Sequence, residues 1–231
     1  MVTIVPSRGR PDAAVELATA FAFTKSTCDL IFAVDDDDPL GDQYCRALTV
    51  YPRAAVSYLR SRTMVEALNL AAGAAAANVA NVVAFMGDDH RPRTDYWDSL
   101  YAATIQFGVT DAGRKIRMVY GNDLIQGERI PTQIAMDADV IRALGHMGPK
   151  ELTHLYLDNY WKDLGGAAGC IRYMPEIVVE HLHPVAGKAA WDEGYARVNA
   201  NEMYARDANA YHAYVASGKF RSDVDTIRAL P

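Results

Sequence analysis

Two adjacent carboxylates and an imidazole end an apolar run near the middle of the chain. Residues 81–86 form that run, and Gly87, Asp88, Asp89 and His90 follow it. A short apolar run of this kind predicts a strand buried on both faces, and side chains at its carboxyl end project into the crevice where open α/β sheets bind ligands. Paired carboxylates repel each other unless a cation or a proton lies between them, so the motif favours Mg2+ or Mn2+. A capped turn is the simpler alternative.

Two arginines follow the first predicted strand, residues 2–6. Pro6 ends this strand, and Arg8 and Arg10 come directly after it. A guanidinium there can bind a phosphate through two parallel hydrogen bonds or stack on a base. Gly9 allows the backbone to approach a ligand closely. The segment lacks the glycine-lysine-hydroxyl ending of a Walker loop. It predicts either a nucleotide contact or a solvated turn.

Four consecutive acids, residues 35–38, follow the second predicted strand. A carboxylate at this point can accept a hydrogen bond from a ribose hydroxyl or a base N–H. Asp35 and Asp36 are therefore candidates for nucleotide binding. Four acids in a row are also typical of a solvated, capped turn.

Two histidines, His181 and His183, end the last predicted strand. The two-residue period of a strand puts both imidazoles on one face, with Leu182 on the other. Both histidines could bind a metal, or one could bind it while the other supports that ligand from behind. The alternative is that the pair is structural. Strand ends far apart in sequence can meet at one edge of a sheet, so this pair can lie beside Asp89.

One acid, Asp158, lies inside an apolar and aromatic helical segment. A buried carboxylate is costly unless it is paired or used, so Asp158 is the candidate general base. An acid on the helix surface is the alternative. Asp163 and Asp123 are the other acids that could serve as the base.

The elements that must position these residues alternate in the first half of the chain. Strands are predicted at 2–6, 30–34, 54–59 and 81–86, and helices at 11–23, 63–77 and 96–107. This alternation predicts an α/β fold with a mostly parallel sheet flanked by helices. In the second half we predict strands at 117–120, 133–136, 171–174 and 176–183, broken at Pro175, and helices at 137–144 and 151–164. From Trp191 the chain is polar and helical.

Length and composition are those of an ordinary globular protein. The 231 residues include 50% hydrophobic and 23% charged residues, and the net charge is −6. We predict one domain, 1–184, with a C-terminal helical extension, 185–231, packed on it and available for oligomerisation. Three cysteines without metal spacing, and no apparent leader or membrane-spanning run, favour a cytoplasmic protein. The acidic balance disfavours binding to duplex DNA.

Taken in order, these clusters resemble the GT-A fold glycosyltransferases, especially the inverting family-2 enzymes and their bacteriophage-encoded relatives. The resemblance covers about residues 2–184. It rests on the opening strand VTIVPS at 2–7, the acids at 35–36, the segment ALNLAA at 67–72, Gly87-Asp88-Asp89, Leu157-Asp158 and the EHLH segment at 180–183. Two positions depart from the family pattern. The metal motif reads Gly-Asp-Asp instead of Asp-x-Asp, and Leu157 replaces the usual glutamate of the base motif.

The resemblance implies roles for the candidate residues. Asp89 and a histidine of the 181–183 pair would hold Mn2+ or Mg2+ on the diphosphate of a nucleotide-sugar donor. Asp88 would bind water, the ribose or a group behind the metal ligands. The other donor contacts would come from Pro6, Arg8, Arg10, Asp35, Asp36 and Arg62, the last near the phosphates. Asp158 would be the base of an inverting transfer, with a retaining reaction as the alternative.

The predicted function is therefore a metal-dependent glycosyltransferase that uses a nucleotide-diphosphate sugar. The acceptor is a hydroxyl, either on a modified DNA base or on a virion protein, and a phage-encoded enzyme would act in the host cytoplasm. A nucleotidyltransferase that makes sugar nucleotides is the alternative enzyme, although the loop after the first strand lacks the lysine expected of one. A non-catalytic nucleotide- or glycan-binding module is the alternative outside the enzymes.

Overall fold

The computed structural model describes residues 1–78 and 80–231, and within them the strands form one eight-stranded sheet in the order β3-β2-β1-β4-β7-β6-β8-β5. The strands are β1 (Val2–Ser7), β2 (Asp29–Asp35), β3 (Ala54–Leu59), β4 (Val82–Phe85), β5 (His90–Pro92), β6 (Met118–Asn122), β7 (Ile134–Asp137) and β8 (Ile171–His181). The helices are α1 (Pro11–Phe23), α2 (Gly41–Leu48), α3 (Met64–Asn78), α4 (Trp97–Phe107), α5 (Ala138–Leu144), α6 (Leu157–Ala168), α7 (Glu193–Val198), α8 (Asn201–Ala216) and α9 (Lys219–Arg228).

The sheet has a parallel half and a mixed half. Strands β3, β2, β1 and β4 run parallel, as the alternation of strands and helices predicts. Strand β7 is antiparallel to β4 and β6, β8 is parallel to β6, and β5 is antiparallel to β8. The connection from β6 to β7 contains no helix, and a parallel pair would need such a crossover. The α/β fold class is confirmed, with a sheet that is mixed rather than parallel throughout.

Both faces of the sheet are covered by helices, and the strands contribute apolar side chains to each face. One face packs on α1, α2 and α4, around buried Phe32, Tyr44 and Trp97. The other packs on α3, α5 and α6, and residues of α8 and α9 such as Tyr211 and Ile227 belong to the same buried cluster. The C-terminal helices thus complete the core on this face. No helix among the described residues is long and apolar enough to cross a membrane.

Strand β8 differs from its prediction, because it continues through Pro175 to His181. Its pairing with β6 jumps from Gly121 opposite Met174 to Asn122 opposite Val178. The intervening residues bulge out of the ladder, so the missing N–H of Pro175 leaves no gap in it. The prediction of two separate strands is therefore wrong.

Helix α6 also differs from its prediction, because it begins at Leu157 instead of residue 151. The N–H groups of Thr153, His154 and Leu155 donate to the buried carboxylate of Asp207 in α8. These contacts hold the segment outside the helix. Asp158 consequently lies in the first turn of α6, beside the cleft described below.

Candidate active site

A cleft of about 1050 Å³ opens at the carboxyl ends of β1, β2 and β4. This is the edge where open α/β sheets bind ligands. The start of α6, the end of β8 and the segment around α7 complete its walls. Of the predicted site residues, the cleft is lined by Pro6, Arg8, Arg10, Asp35, Arg62, Asp88, Asp89, Asp158, His181 and His183. Asp36 lies outside it.

Asp88 points back toward β1 and is held there by two partners. Ser7 Oγ donates to its Oδ2 at 2.6 Å, and Arg10 Nη1 lies 2.9 Å from its Oδ1. Burial raises the pKa of Asp88 to about 6, in spite of the nearby Arg10 guanidinium. Arg91 Nη1 donates to the Asp88 carbonyl at 2.7 Å, which fixes the turn from behind. With its carboxylate committed to Ser7 and Arg10, Asp88 anchors the turn that carries Asp89.

Gly87 allows the tight turn between Asp88 and the end of β4. A Cβ at this position would lie 2.5 Å from Asp89 Oδ1 and 3.1 Å from His90 Nδ1. Neither side chain could keep its place beside such a methyl group. An acid at position 87, as in the Asp-x-Asp pattern, would therefore require a different arrangement of Asp89 and His90.

The pairing of β5 with β8 brings Asp89 to the histidines. His90 lies opposite His181 in this antiparallel ladder, and their rings stack with centroids 4.3 Å apart. Asp89 Oδ2 lies 3.2 Å from His181 Nε2, and Asp89 Oδ1 lies 3.3 Å from His90 Nδ1. Burial opposes ionisation of Asp89, but its contact with His181 holds its pKa well below the usual range. The result is a carboxylate flanked by two imidazoles.

The two imidazoles differ in their protonation. Burial favours the neutral form of both, and it lowers the pKa of His90. For His181 the contact with Asp89 outweighs burial, and its pKa is raised. Gly87 N–H donates to His90 Nδ1 at 3.1 Å, so the ring proton of neutral His90 lies on Nε2, which is 3.4 Å from Thr132 Oγ1.

The C-terminal extension contributes Tyr195 to this cluster. Its hydroxyl donates to Asp89 Oδ2 at 2.9 Å and accepts from Arg10 Nη2 at 3.1 Å. The Arg10 guanidinium also lies over the Tyr195 ring, 4.6 Å from its centroid. Tyr195 thus links Arg10, the partner of Asp88, to Asp89.

His183 follows the end of β8, which is at His181 and not at residue 183 as predicted, and its ring lies beside that of His181. Its ring centroid is 5.1 Å from that of His181 and 5.2 Å from that of Tyr195. Its Nδ1 accepts the N–H of Val185 at 3.2 Å, which leaves Nε2 for a ligand. The structure therefore brings His181 into contact with Asp89 and keeps His183 at the edge of the cluster.

Asp158 faces the same cleft from the start of α6. Its Oδ1 accepts the N–H of Asn159 at 2.9 Å, and no cation pairs with it among the described residues. Burial raises the pKa of Asp158. The Asn159 N–H and the charge of His181 oppose this effect, and the charge of Asp123 adds to it. Asp163, by contrast, accepts from Tyr211 Oη of α8 and does not line the cleft.

Of the acids at 35–38, Asp35 and Asp37 line the opposite wall of the cleft. Arg8 Nη1 lies 3.0 Å from Asp35 Oδ2 and 2.5 Å from Asp37 Oδ1, and Asp35 also accepts from Ser61. Asp36 turns away and pairs with Arg60 at 3.3 Å. Asp38 accepts from the backbone N–H groups of Gly9 and Leu40, so it caps the turn.

Several solved structures share this architecture. No family model and no curated protein matches the sequence. A mannosyltransferase from Pyrobaculum calidifontis, solved with GDP-Man and Mn2+, aligns with a TM-score of 0.57 at 14% identity over 94% of this chain and 75% of that chain. Glucosyl-3-phosphoglycerate synthase from Mycobacterium tuberculosis, solved with phosphoglyceric acid, aligns with a TM-score of 0.54 at 11% identity over 90% and 79% of the two chains.

TarS 1–349 from S. aureus, solved with UDP, aligns with a TM-score of 0.57 at 13% identity. The alignment covers 78% of this chain and 59% of the TarS fragment. The chain has a GT-A fold. At these identities the likeness concerns the fold, and the chemistry must be argued from the side chains.

The donor atoms within this GT-A fold fit a small divalent cation. Ligand atoms of Asp89, His90 and His181 all lie within 4.8 Å of one another. Two ligands about 2.1 Å from one ion and at right angles to each other lie about 3 Å apart, and the Asp89–His181 contact of 3.2 Å is close to that spacing. The Nδ1 lone pair of His90 already accepts the Gly87 N–H, so Asp89 and His181 are the better ligands.

Sequence reasoning missed three residues of the cluster. His90 follows Asp89 directly and was visible as a histidine, but only the β5–β8 pairing shows that it stacks on His181. Thr132 and Tyr195 reach the site from 42 and 106 residues beyond His90 and Asp89 respectively. No spacing or motif in the sequence marks either of them.

Proposed function

We propose that this protein is a metal-dependent glycosyltransferase that moves a sugar from a nucleotide-diphosphate sugar to a hydroxyl acceptor. The observation that carries the proposal is one cleft in which Asp89 and His181 form a candidate metal site and Asp158 is a half-buried acid that pairs with no cation among the described residues. The mannosyltransferase neighbour was solved with GDP-Man and Mn2+, and TarS with UDP-GlcNAc. These complexes support a donor of the same class here.

The wall built by Pro6, Arg8 and Asp35 would bind the nucleotide. The Asp35 carboxylate can accept from a ribose hydroxyl or a base N–H, and the Arg8 guanidinium can stack on the base. Arg62 also lines the cleft, and its guanidinium would bind the diphosphate. Asp36 pairs with Arg60 outside the cleft, so it would contribute only indirectly, through the turn.

Asp89 and His181 would hold Mn2+ or Mg2+, with His183 as a further ligand only if its ring moves. When bound, the ion would supply Lewis-acid stabilisation of the charge on the leaving diphosphate. A nitrogen ligand favours Mn2+ over Mg2+. Arg10 and Asp88 would support the site by fixing the Gly87–His90 turn and Tyr195, and Arg10 would add positive charge near the phosphates.

Asp158 would be the general base of an inverting transfer. The acceptor oxygen forms a bond to the anomeric carbon while the bond from that carbon to the diphosphate oxygen breaks. The acceptor proton passes to an Asp158 carboxylate oxygen. The raised pKa of Asp158 suits this task, because a base whose pKa is close to the working pH accepts protons more readily.

The acceptor hydroxyl would belong to a modified nucleobase or to a protein. Mass spectrometry of DNA and proteins from cells that express the active chain, with cells that express Asp89→Ala as the control, would identify it. A mass increase of one sugar on DNA or on protein, absent from the control, would decide between the two classes.

The test of the reaction class is incubation with a panel of nucleotide sugars and Mn2+. Slow release of nucleoside diphosphate that EDTA stops is the expected result. Release of pyrophosphate from a nucleoside triphosphate and a sugar phosphate would identify a nucleotidyltransferase instead, and donor binding without turnover a binding module. Asp29→Asn, a surface change at a pair with Arg53 outside the cleft, is the matched control for Asp89→Ala.

A further inference from the structure

A buried carboxylate, that of Asp123, lies behind the candidate metal site and has no role in the proposed transfer. Asp123 is 1% exposed and follows β6. Its Oδ1 accepts the N–H groups of Ile125, Gln126 and Gly127 at 3.0, 2.7 and 2.9 Å. Its Oδ2 accepts from Thr132 Oγ1 at 2.9 Å. These hydrogen bonds leave it unsuited to act as a base, and they hold its pKa below the usual range against the effect of burial.

Asp123 lies near the His181 ring and reaches His90 only through Thr132. His181 Nδ1 is 4.0 Å from Asp123 Oδ2, and the His181 N–H donates to the Asp123 carbonyl at 3.0 Å. His90 Nε2 lies 3.4 Å from Thr132 Oγ1, which in turn donates to Asp123 Oδ2. In this series of hydrogen bonds each donor has an acceptor. His90 Nε2–H faces Thr132 Oγ1, and the Thr132 hydroxyl donates to Asp123.

The direction of these contacts determines which nitrogen of His181 is available to a cation. A carboxylate near Nδ1 favours the proton on that nitrogen, and the lone pair of the neutral ring then lies on Nε2. Nε2 is the atom that faces Asp89, at 3.2 Å. Without a cation, Asp89 favours a proton on Nε2 as well. A cation at Asp89 would displace that proton, and the remaining one would stay on Nδ1, the nitrogen that faces Asp123.

We propose that Asp123 is a positioning residue that sets the tautomer and orientation of His181 for a divalent cation, and that it couples the loop from 123 to 132 to that site. This inference rests on the metal site of the proposed function. It predicts that the cation is bound more weakly when the negative charge of Asp123 is removed, even where the loop keeps its hydrogen bonds.

Asp123→Asn makes that change with little change of shape. The amide oxygen can still accept from the loop N–H groups, while the NH2 group in place of Oδ2 disfavours a proton on His181 Nδ1. Asp98 offers a matched control, because it is also 1% exposed and its Oδ2 accepts from Thr27 N–H, Cys28 N–H and Thr27 Oγ1. It lies outside the cleft, so Asp98→Asn removes a buried, loop-binding charge without touching the histidines.

The measurement is a titration of the purified proteins with Mn2+ alone, followed by the electron paramagnetic resonance signal of the free ion. We expect Asp123→Asn to weaken Mn2+ binding about 10- to 100-fold and Asp98→Asn to leave it at the wild-type value. Equal affinity of Asp123→Asn and the wild type would overturn the inference. A wild-type protein that binds no Mn2+ would overturn the metal site itself, which is a different result.

A second measurement covers the case in which Asp123→Asn does not fold. In the wild-type protein loaded with Zn2+, a diamagnetic substitute, 15N NMR of the histidines reports which ring nitrogen carries the proton. We expect His181 to carry it on Nδ1. A proton on Nε2, with the ion on Nδ1, would contradict the inference.

Discussion

The two acidic clusters of this protein look alike in sequence and differ in their surroundings. Each acid at 35–38 has a partner nearby: Asp35 and Asp37 share Arg8, Asp36 pairs with Arg60, and Asp38 accepts from backbone N–H groups. Asp88 and Asp89 are buried together, and only Asp88 has an arginine, while Asp89 has histidines. An exposed run of acids is thus neutralised locally, whereas the buried pair leaves one carboxylate facing neutral or titratable ligands. That difference makes Asp89 the candidate metal ligand.

The strongest test of this contrast is Asp89→Ala. Loss of a metal that stabilises the leaving group by several kcal/mol corresponds to about 10³-fold or more in rate. We expect metal-dependent donor turnover to fall to background and the melting temperature to show that the fold survives. Steady-state rates with Mn2+ and with EDTA measure the effect. Full activity of the wild type in EDTA would show that turnover needs no metal, and Asp89 would then not be a metal ligand.

Asp158→Asn tests whether Asp158, which pairs with no cation among the described residues, acts as the base. General-base loss typically costs about 10²–10⁴-fold in rate, and we expect donor binding to survive. Since the base must be ionised and its pKa is raised, the wild-type rate should fall as the pH drops through a value above that of an ordinary aspartate.

A near wild-type rate for Asp158→Asn would assign the base to another residue or indicate a retaining reaction. NMR of the anomeric centre of the product separates these two outcomes. An inverted product with an unimpaired variant points to another base, and a retained product to a different mechanism.

The histidines sharpen the comparison within the buried cluster. His181→Gln should weaken Mn2+ binding by about 10- to 100-fold, because Nε2 of His181 faces Asp89. His183→Gln should have a clearly smaller effect, because its ring lies at the edge of the cluster. Mn2+ titration of both variants decides the order, and the reverse order would show that the ligand is His183.

The smallest effect is expected at the exposed cluster. Asp36→Asn breaks one ion pair with Arg60, a side chain that is 92% exposed, and such pairs contribute little. We expect the melting temperature to change by no more than about 2 °C and KM for the donor by less than about 3-fold. A large rise in KM would mean that Asp36 reaches the nucleotide after all.

The sequence predicted the elements whose patterns are local. The strand at 54–59 and the helix at 11–23 were predicted with the observed bounds, because an apolar run or a proline at the helix start marks them. Helix α2 was missed, since it has only eight residues and no side chain caps its start. Strand β5 was missed because its three residues form a strand only by pairing with β8.

The site could be predicted only as far as strand ends reveal it. Asp89, His181 and Asp158 follow or end apolar elements, and the order of these elements places them at one edge. The stacking of His90, the reach of Tyr195 and the hydrogen bonds of Asp123 depend on contacts between distant segments. No local pattern in the chain carries that information.

The hydrogen bonds of Asp207 imply an order of events in folding. The residues that set the start of α6 are held by a carboxylate 52 to 54 positions later in the chain. Closing so long a loop carries an entropic cost that local helix formation does not. The first turn of α6, and with it the orientation of Asp158, can therefore become fixed only after α8 has docked. A newly made chain that stops before α8 would contain Asp158 but lack the contacts that aim it into the cleft.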